Sequence, residues 1–490
     1  MSEMIFPNRI PNWIAGRQVD AKTGNWFAKL DPVTGGQIAE ITRSGSDDVD
    51  TAVGSAKEAQ QLWALIPPVK RGEILFEVCQ TLKVQRELVA KVVALETGKS
   101  RKEALGEVDG AIALGRFYAG EGQRLYGRTT TSGVANKFAM TIRCPVGVAG
   151  LIIAANTPMA NAAWKVFPAL VCGNGIILKA AEDTPITAWI FAKLAHDAGL
   201  PAGVFNVVQG LGIEAGAPLV LHPDVGVLSF TGSTIVGRWI AEEAGKRLKK
   251  VSLELGGKNP LIVCDDADLE NAVKWTILSA FSNAGQRCAS GSRIIVFEAV
   301  YERFREMLLE KTRNLKVGNR DEDDFGPVIN EKQLNKMIQC VQRAKDQGAT
   351  VLCGGHRLAD PNHAKGFFMA PTLVENAGNE AEFSITELFG PIAGLYHAKG
   401  FAEALALANH SPYGLTASIH TKNVHRVMEF MKKVQAGVAV VNMGTFGSEP
   451  HMPFGGVKSS GNGTREPGTE ALDIYSDLKD VYIGTDFSTL

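Results

Sequence analysis

The sequence predicts an α/β fold organised around a doubly wound parallel sheet. In the middle of the chain, short apolar runs typical of strands alternate with helical stretches. The runs lie at residues 148–155, 175–179, 204–208 and 225–230. Because a turn and a helix follow each run, the strands should be parallel and covered by helices. Ligands of such sheets bind beyond the carboxyl ends of the strands, where Asn156 lies.

Further elements are predicted on both sides of this region. Residues 46–60 carry apolar side chains at helical spacing, and residues 105–125 are also predicted to be helical although several glycines interrupt them. A second alternating section begins with the apolar run 261–264. Residues 471–483 favour a strand with no obvious local partner, which suggests pairing across a subunit interface.

The composition is that of a globular protein. The 490 residues suffice for more than one domain, with 45% hydrophobic and 21% charged residues. A net charge of −1 favours neither nucleic acid nor a membrane as a partner. The seven cysteines form no CxxC or Cys/His cluster, so neither a disulfide framework nor a metal site is expected. The N-terminus lacks the pattern of a secretory signal, and we expect a cytoplasmic protein.

Cys288 is the candidate nucleophile. A cysteine taken alone is more often a small buried hydrophobe. This one ends the segment Gly-Gln-Arg-Cys at 285–288, which is unlike an apolar core run. To act as a nucleophile it needs a base and an oxyanion site nearby.

Glu254 and Asn156 offer these two functions. Glu254 is flanked by Leu253 and Leu255, and partial desolvation would raise its pKa so that it takes a proton from water near neutral pH. A carboxylate that caps the following Gly-Gly turn is an equally open interpretation. Asn156 can donate a hydrogen bond to a developing alkoxide. In isolation, an Asx turn before Pro158 explains this asparagine better.

Cofactor-binding residues are predicted after two strands. The sequence has no GxGxxG, but Gly232 and Gly237 are five residues apart at a strand-to-helix junction. Gly232 allows close backbone approach, and Ser233 with the helix N-terminus can face a phosphate. Lys179 and Glu182 can bind ribose hydroxyls of an adenosine. An ordinary turn and a solvated ion pair are the open alternatives.

The order and combination of these segments resemble the aldehyde dehydrogenase family over nearly the whole chain. Glu-Leu-Phe-Gly-Pro at 387–391 and Pro-Phe-Gly-Gly-Val-Lys at 453–458 add to the match. Glu-Leu-Gly-Gly-Lys at 254–258 and Gly-Gln-Arg-Cys at 285–288 are together highly specific. The resemblance implies a Rossmann-like NAD-binding domain, an α/β catalytic domain and a small β extension for a homodimer or homotetramer. The implied bounds are 1–122 with 143–253, then 254–444, and 123–142 with 465–490.

The resemblance also implies a mechanism, in which an aldehyde is oxidised to the carboxylic acid with NAD. Cys288 would attack the aldehyde to form a thiohemiacetal, and Asn156 with the Cys288 backbone N–H would form the oxyanion hole. Loss of hydride leaves a thioester, which water activated by Glu254 hydrolyses. Lys165 would lie behind Glu254 in a proton path.

The implied cofactor contacts favour NAD. Glu387 resembles the ligand of the nicotinamide ribose, Phe389 the side chain packed near the nicotinamide, and Leu255 a further cofactor contact. Glu182 would bind the adenosine 2′-hydroxyl and repel a 2′-phosphate. Lys179 could soften that repulsion, so NADP stays open as a weaker alternative.

The substrate is the least determined part. The residues expected to line its site are Trp164, Phe167, Arg287 and Phe454, with loop 445–451. Arg287 either meets the carboxylate of a semialdehyde or points into structural hydrogen bonds. Its segment resembles those of semialdehyde dehydrogenases, including the α-ketoglutaric semialdehyde type, while neutral aldehydes stay open.

The sequence departs from the family in two places. Ala154 and Ala155 replace aromatic residues found beside the asparagine in many members, which would leave room for a bulkier or more polar substrate. Thr464 is an extra residue, and we therefore assign no role to Glu466.

Two other functions are compatible with the fold. A CoA-acylating semialdehyde dehydrogenase would pass the acyl group to CoA, and Gly-Gln-Arg-Cys occurs there too, although Glu254 favours hydrolysis. A non-catalytic binding protein is expected to have lost at least one of Cys288, Glu254 and Asn156, and all three are present.

Overall fold

The computed structural model describes residues 6–485. The chain begins with short strands, four helices and a small antiparallel pair. Their bounds are β1 (Arg9–Ile10), β2 (Asn12–Ile14), β3 (Arg17–Val19), β4 (Trp26–Leu30), β5 (Gln37–Thr42), α1 (Ser46–Leu65), α2 (Pro68–Val84), α3 (Arg86–Thr97), α4 (Arg101–Glu121), β6 (Thr129–Thr130) and β7 (Lys137–Pro145). The predicted helices at 46–60 and 105–125 correspond to α1 and α4. Ser100 is the N-cap of α4, because its Oγ accepts the Glu103 N–H at 3.2 Å.

Strands and helices then alternate, as predicted. Their bounds are β8 (Val148–Ile152), α5 (Pro158–Val171), β9 (Gly175–Lys179), α6 (Pro185–Asp197), β10 (Phe205–Val208), α7 (Ala217–Leu221), β11 (Val225–Thr231), α8 (Thr234–Lys246) and β12 (Lys250–Glu254). The five strands are parallel in the order β12-β11-β8-β9-β10. The sheet continues with β2, which is antiparallel to β10, and with β3, which is antiparallel to β2. The doubly wound parallel sheet is therefore confirmed.

A second seven-stranded sheet follows. Its section of the chain contains β13 (Asn259–Val263), α9 (Leu269–Phe281), β14 (Gly291–Phe297), α10 (Tyr301–Arg313), α11 (Glu331–Asp346), β15 (Thr350–Cys353), β16 (Thr372–Glu375), α12 (Glu382–Ile385), β17 (Ile392–Ala398), α13 (Phe401–Asn409), β18 (Tyr413–Gly414), β19 (Thr416–His420), α14 (Val424–Lys433) and β20 (Val438–Val441). The order is β15-β16-β17-β14-β13-β19-β20, with β15 antiparallel. The predicted second alternating section is thus also present.

The C-terminal segment corrects one prediction. After β21 (Val457–Lys458) come α15 (Ala471–Tyr475) and β22 (Ser476–Gly484). The terminal strand, for which the sequence offers no obvious local partner, has one in a distant part of the same chain: β22 pairs antiparallel with β7 from Ser476 opposite Pro145 to Gly484 opposite Lys137. The first five residues of the predicted strand are helical. The partner was missed because β7 lies more than 300 residues away in sequence.

The fold brings the ends of three strands to one place. In the first sheet Ile152 of β8 is level with Phe230 of β11, and Thr231 is level with Glu254 of β12. Parallel strands end at the same sheet edge, so Asn156, Gly232 and Glu254 emerge together. Over the part of the chain that is described, no helix is long and apolar enough to cross a membrane.

Candidate active site

A cleft of about 790 Å³ opens at this sheet edge. Its walls come from the ends of β11 and β12, helices α4 and α5, and the loops that precede β14 and β17. It brings together most of the predicted site residues. These are Asn156, Trp164, Gly232, Ser233, Glu254, Leu255, Arg287, Cys288, Glu387, Phe389 and Phe454. Among residues 6–485, no group of histidines, cysteines and carboxylates could hold a metal ion.

Cys288 follows a tightly wound turn, residues 282–285, which we call the nucleophile turn. Asn283 and Ala284 both have a φ of +54° and Gly285 has a φ of +65°, so three consecutive residues are left-handed. This conformation is unfavourable for asparagine and alanine, and surrounding contacts must hold it. Glu103 on α4 supplies one of them, because its Oε1 accepts the Asn283 N–H at 2.9 Å.

The Cys288 thiol is protonated in this state. Burial, then the negative charges of Glu387 and Glu254, raise the pKa of the thiol to about 12. Only the thiolate is an effective nucleophile. The thiol must therefore transfer its proton before it can attack an electrophile.

The Asn156 side chain is oriented toward the nucleophile by two hydrogen bonds. Its Oδ1 accepts from Asn161 Nδ2 at 3.1 Å, and its Nδ2 donates to the Gln286 carbonyl at 2.8 Å. The amide nitrogen therefore faces the Cys288 segment. An amide has two N–H donors, so a second one is left for a ligand in the cleft. This geometry suits an oxyanion donor.

Glu254 is a buried carboxyl at the end of β12, with a relative exposure of 4%. Neither of its oxygens has a hydrogen-bond partner within the described chain. Desolvation, and after it the charge of Glu466, raises the pKa of Glu254 well above its usual range. The alternative role as a cap of the Gly-Gly turn does not apply, because Glu387 accepts the Gly257 N–H at 3.0 Å. A buried carboxyl left without a partner is typical of a functional group.

A buried polar network lies behind Glu254. Lys165 Nζ donates to Glu466 Oε2 and to Ser229 Oγ, both at 2.7 Å, and the Tyr475 hydroxyl donates to Glu466 Oε1 at 2.7 Å. Lys165 and Glu466 are almost completely buried. Lys165 makes these bonds away from the cleft lining. Its positive charge opposes, but does not cancel, the rise in the pKa of Glu254.

Glu466 is a site residue that sequence reasoning missed. The extra Thr464 made the match of Glu466 to the family pattern ambiguous. In the structure Thr464 lies in a loop. The Thr464 hydroxyl bonds to Ser252 Oγ at 3.0 Å, and Asn462 Oδ1 accepts the Leu253 N–H at 3.1 Å. A glutamate amid glycines, threonines and prolines carries no periodic signal, so burial identifies this residue only after folding.

The predicted cofactor residues fall into two groups. Gly232, Ser233, Leu255, Glu387 and Phe389 line the cleft. Ser233 caps α8 by accepting the Val236 N–H at 3.4 Å, so the positive end of that helix opens on the cleft. Phe389 has a φ of +58°, a strained conformation of the kind that clusters at functional sites.

The second group lies outside the cleft lining. Lys179 Nζ is 3.2 Å from Glu182 Oε2 at the end of β9, with the lysine buried and the glutamate exposed. They share the sheet edge with the cleft but stand two strands from β11. Gly237 instead packs against Leu255, whose Cδ2 would be 2.4 Å from a Cβ at that position.

Two predicted substrate-lining residues form an aromatic wall, and one does not. Trp164 and Phe454 both line the cleft with ring centroids 5.3 Å apart. The prediction for Phe167 is wrong, because its side chain is fully buried and packs 5.7 Å from the Phe191 ring. Helix α5 is buried on most of its circumference, and the Phe167 ring packs between Gly115 of α4 and Phe191 of α6, so it does not reach the cleft.

Arg287 makes a hydrogen bond within the protein and also lines the cleft. Its Nη1 donates to Ser282 Oγ, and its guanidinium carbon lies 4.8 Å from the Phe446 ring centroid. The side chain nevertheless lines the cleft, as do Phe446 and Ser448 of the predicted loop 445–451. Burial lowers the pKa of the guanidinium.

The cleft face of α4 was missed altogether. Glu103, Gly106, Glu107 and Gly110 line the cleft from this helix. The signal was present in the sequence, since glycines interrupt the predicted helix at those positions. These glycines counted only as evidence against a helix, whereas in the structure they lie on the face of α4 that lines the cleft.

Comparison with known proteins decides the family. The family model for the aldehyde dehydrogenase family matches residues 19–481. The chain belongs to the aldehyde dehydrogenase family. The resemblance inferred from the sequence, the α/β fold class and the assignment as an enzyme are thereby confirmed.

This aldehyde dehydrogenase has relatives and solved neighbours along its whole length. It is 36% identical to an alpha-ketoglutaric semialdehyde dehydrogenase of Bacillus subtilis over 486 residues, 99% of this chain and 100% of the relative. It is 37% identical to an aldehyde dehydrogenase of Aspergillus niger over 96% of this chain and 94% of the relative.

Two solved structures share the fold. A betaine aldehyde dehydrogenase of Staphylococcus aureus in complex with NAD⁺ superposes with a TM-score of 0.95 at 30% identity, over 97% of this chain and 95% of that one. An NADP-dependent enzyme of E. coli superposes with a TM-score of 0.93 at 36% identity, over 97% and 98%. The fold therefore holds over almost all of each chain.

The contrast between Phe167 and Phe454 is testable. Phe167→Ala should destabilise the aldehyde dehydrogenase by about 3–5 kcal/mol through a core cavity, without raising KM for the aldehyde. Phe454→Ala should raise KM, because it removes a cleft wall. Denaturant unfolding and steady-state kinetics measure the two effects. A raised KM with unchanged stability in Phe167→Ala would contradict its placement in the core.

Proposed function

We propose that this aldehyde dehydrogenase uses NAD to oxidise a semialdehyde, an aldehyde that bears a carboxylate at its other end. The observation that carries the proposal is Arg287, which lines the same cleft as Cys288. Within the described chain its guanidinium makes one side-chain hydrogen bond, to Ser282. A carboxylate would complement the remaining donors through charge-assisted, bidentate bonds.

The half-buried position of Arg287 supports the same ligand. A cation withdrawn from water is costly unless an anion accompanies it. Glu103 and Glu107 act on the guanidinium through their charge, but among residues 6–485 neither forms an ion pair with it. Glu103 accepts the Asn283 N–H at 2.9 Å, and Glu107 pairs with Lys99 at 2.7 Å. The relative from Bacillus subtilis acts on alpha-ketoglutaric semialdehyde according to its name, which agrees with a substrate of this class.

In the proposed first half-reaction, the Cys288 thiol gives its proton to the Glu254 carboxylate through water, and the resulting thiolate attacks the aldehyde carbon to give a thiohemiacetal. The alkoxide that develops on the oxygen receives hydrogen bonds from Asn156 Nδ2 and the Cys288 backbone N–H. Bound NAD supplies the acceptor for a hydride. Departure of that hydride from the former aldehyde carbon leaves a thioester on the sulfur.

In the second half-reaction, Glu254 takes a proton from water, which attacks the thioester and releases the carboxylic acid. The raised pKa of Glu254 makes it a base suited to pH values above the ordinary range of carboxylates. The Lys165–Glu466 pair lies behind Glu254 and would lead the proton away from its carboxyl, so that Glu254 can act again as a base. Because Glu254 is present, we propose hydrolysis over transfer of the acyl group to CoA.

The residues around the cleft fit NAD. The N-terminus of α8 with Gly232 and Ser233 would hold the phosphates, and Leu255 would pack beside the cofactor. A Cβ at Gly256 would lie 2.2 Å from Glu387 Oε2, so glycine lets this carboxylate sit directly over the backbone, where it would bind the nicotinamide ribose. Phe389 would pack near the nicotinamide.

The exposed Glu182 with Lys179 would bind the adenosine ribose. The Staphylococcus aureus neighbour contains NAD⁺, which supports the same assignment here. The E. coli neighbour is described as NADP-dependent, so a weaker use of NADP is included in the proposal.

We also propose the division into an NAD-binding domain, a catalytic domain and a β extension. Residues 1–122 with 143–253 and residues 254–444 each contain one seven-stranded sheet. The β6-β7-β22 sheet exposes apolar side chains such as Phe138, Leu478 and Tyr482, which supports a homodimer or homotetramer. Within 465–490, the extension would begin at Ser476, because Glu466 and Tyr475 are buried beside Lys165.

Two substitutions separate the half-reactions. Cys288→Ala should abolish NADH formation. Glu254→Gln should give one burst of NADH and then a steady rate about 10²–10⁴-fold lower, because the thioester persists. Wild-type turnover limited by hydrolysis should rise with pH as Glu254 deprotonates, and the variant should lose this rise. Stopped-flow absorbance with analysis of acid and acyl-CoA products measures both, and full steady activity in either variant would refute these roles.

Glu182 should set the cofactor preference. Glu182→Ser removes the negative charge that would repel a 2′-phosphate, so kcat/KM for NADP should rise relative to that for NAD. Glu242→Ser on α8 is a matched control, because it removes another exposed carboxylate that is paired with a lysine. If the ratio of kcat/KM for NADP to kcat/KM for NAD is the same in wild type and Glu182→Ser, the assignment of Glu182 to the adenosine ribose is contradicted.

Arg287 should set the preference for charged aldehydes. Arg287→Ala should lower kcat/KM for succinic semialdehyde by about 10- to 100-fold relative to butanal, which corresponds to a lost charged hydrogen bond of about 1.5–3 kcal/mol. Arg287→Lys should retain part of the preference, because it keeps the charge but not the fork of donors. Equal losses for both aldehydes in Arg287→Ala would show that this residue is structural.

A further inference from the structure

A side-chain hydrogen bond joins the loop after β9, which belongs to the first sheet, to the start of α11, which packs on the second. Asn330 Nδ2 donates to Asp183 Oδ2 at 2.9 Å, across 147 residues of sequence. Asp183 directly follows Glu182, and Asn330 directly precedes α11. We call this contact the Asp183–Asn330 bridge. It ties the loop that carries Glu182 to a helix that forms another part of the cleft wall.

Helix α11 has one face in the core and another on the cleft. Gln333 and Lys336 line the cleft. Burial raises the pKa of Glu387 to about 7, and the positive charge of Lys336 opposes this rise. The opposite face packs into the core of the second sheet through Leu334, Met337, Cys340, Val341 and Ala344. A shift at the start of the helix would therefore move two polar side chains that face the cleft.

Asn330 makes two contacts with one side chain. Its Oδ1 accepts the Gln333 N–H at 2.9 Å and so caps α11, while its Nδ2 donates to Asp183. Serine or aspartate would cap the helix as well, but neither has an amide N–H to donate. Capping alone therefore does not explain an asparagine at this position, whereas the bridge does.

The carboxylate of Asp183 depends on this contact. Among residues 6–485, Asn330 is the side chain that donates a hydrogen bond to it. Desolvation raises the pKa of Asp183, and the positive charge of Lys29 and then the bond from Asn330 oppose the rise. A carboxylate withdrawn from water is costly without partners, so loss of the bridge would displace the loop or admit water.

The residues before Asn330 are held by the segment that carries Cys288. Gln286 Oε1 accepts the Ile329 N–H at 2.8 Å, and Gln286 Nε2 donates to the Pro327 carbonyl at 3.3 Å. Gln286 is buried and lies two residues before the nucleophile. This short segment therefore connects the nucleophile to the bridge.

We propose that the Asp183–Asn330 bridge sets the spacing between the two ends of the cofactor site, so that a dinucleotide bound at Glu182 by its adenosine also meets α11 and Cys288. Asp183 and Asn330 are positioning residues, because neither lines the cleft. The inference rests on the proposed place of the adenosine at Glu182. Loss of the bridge weakens binding of the whole dinucleotide more than binding of its adenosine half, because only the dinucleotide reaches both ends.

The experiment reverses the polarity of the bridge in the full-length enzyme and measures the Kd of NADH by fluorescence titration. Asn330→Asp keeps an acceptor that caps α11 but places a second carboxylate against Asp183, so the Kd should rise about 10-fold. Adding Asp183→Asn restores one donor and one acceptor, and the Kd of the double variant should return most of the way to the wild-type value. Asn330→Ser keeps the cap without the amide donor and should give a smaller rise.

Two further measurements separate positioning from general damage. The Kd of AMP, measured by calorimetry, should be unchanged in Asn330→Asp, because AMP occupies only the adenosine end. Asn423→Asp is the matched control and should bind NADH as wild type does, because Asn423 caps α14 in the same way outside the cleft lining. Thermal unfolding shows whether each variant is folded, and Asn330→Ser supplies the measurement if Asn330→Asp is not.

An unchanged Kd of NADH in folded Asn330→Asp would overturn the proposal, as would an equal rise in the Kd of AMP. A double variant that binds NADH as weakly as Asn330→Asp would also overturn it, because the loss would then not come from the bridge. An error in the place of the adenosine gives a different result, since Glu182→Ser then leaves the NADP-to-NAD ratio unchanged while the double variant still recovers.

Discussion

The buried ion pair between Lys165 and Glu466 is the interaction on which the site depends. It joins helix α5 to the C-terminal segment, and Ser229 and Tyr475 complete its hydrogen bonds from β11 and α15. Removing one partner would leave an uncompensated buried charge, a change that costs about 3–5 kcal/mol in proteins. The pair therefore fixes the wall behind Glu254, and through it the position of this buried carboxyl relative to Cys288.

A second set of contacts links substrate-facing and nucleophile-bearing elements. Lys99 Nζ bonds to the Asn156 carbonyl at 2.9 Å as well as to Glu107, while Glu103 bonds to Asn283 of the nucleophile turn. The start of α4 therefore positions both Asn156 and the turn that precedes Cys288. The helix that lines the cleft also holds the segments that bear these two residues.

The sequence predicts local features well and distant contacts poorly. Parallel strands such as β9 can be predicted from apolar runs bounded by turns. Cys288, Glu254 and Asn156 can be predicted as candidate site residues because the residue types in their short segments indicate a chemistry. The partner of β22 depends on residues remote in sequence. The prediction that Phe167 lines the substrate site fails because an aromatic side chain on a buried helix can face either the cleft or the core. The places of Glu466 and of the α4 glycines in the site can be recognised only from their neighbours in the folded protein.

The nucleophile turn has a mechanical consequence. A Cβ on Gly285 would lie 2.0 Å from the Gly390 carbonyl oxygen, so the two backbones touch with no room for a side chain. Gly390 directly follows the segment that bears Glu387 and Phe389. The loop that bears Glu387 and Phe389 and the loop that carries Cys288 are therefore in direct backbone contact, and neither can move toward the other without displacing it. The position of Cys288 relative to these two side chains is in this way fixed by backbone packing and does not rely on side chains alone.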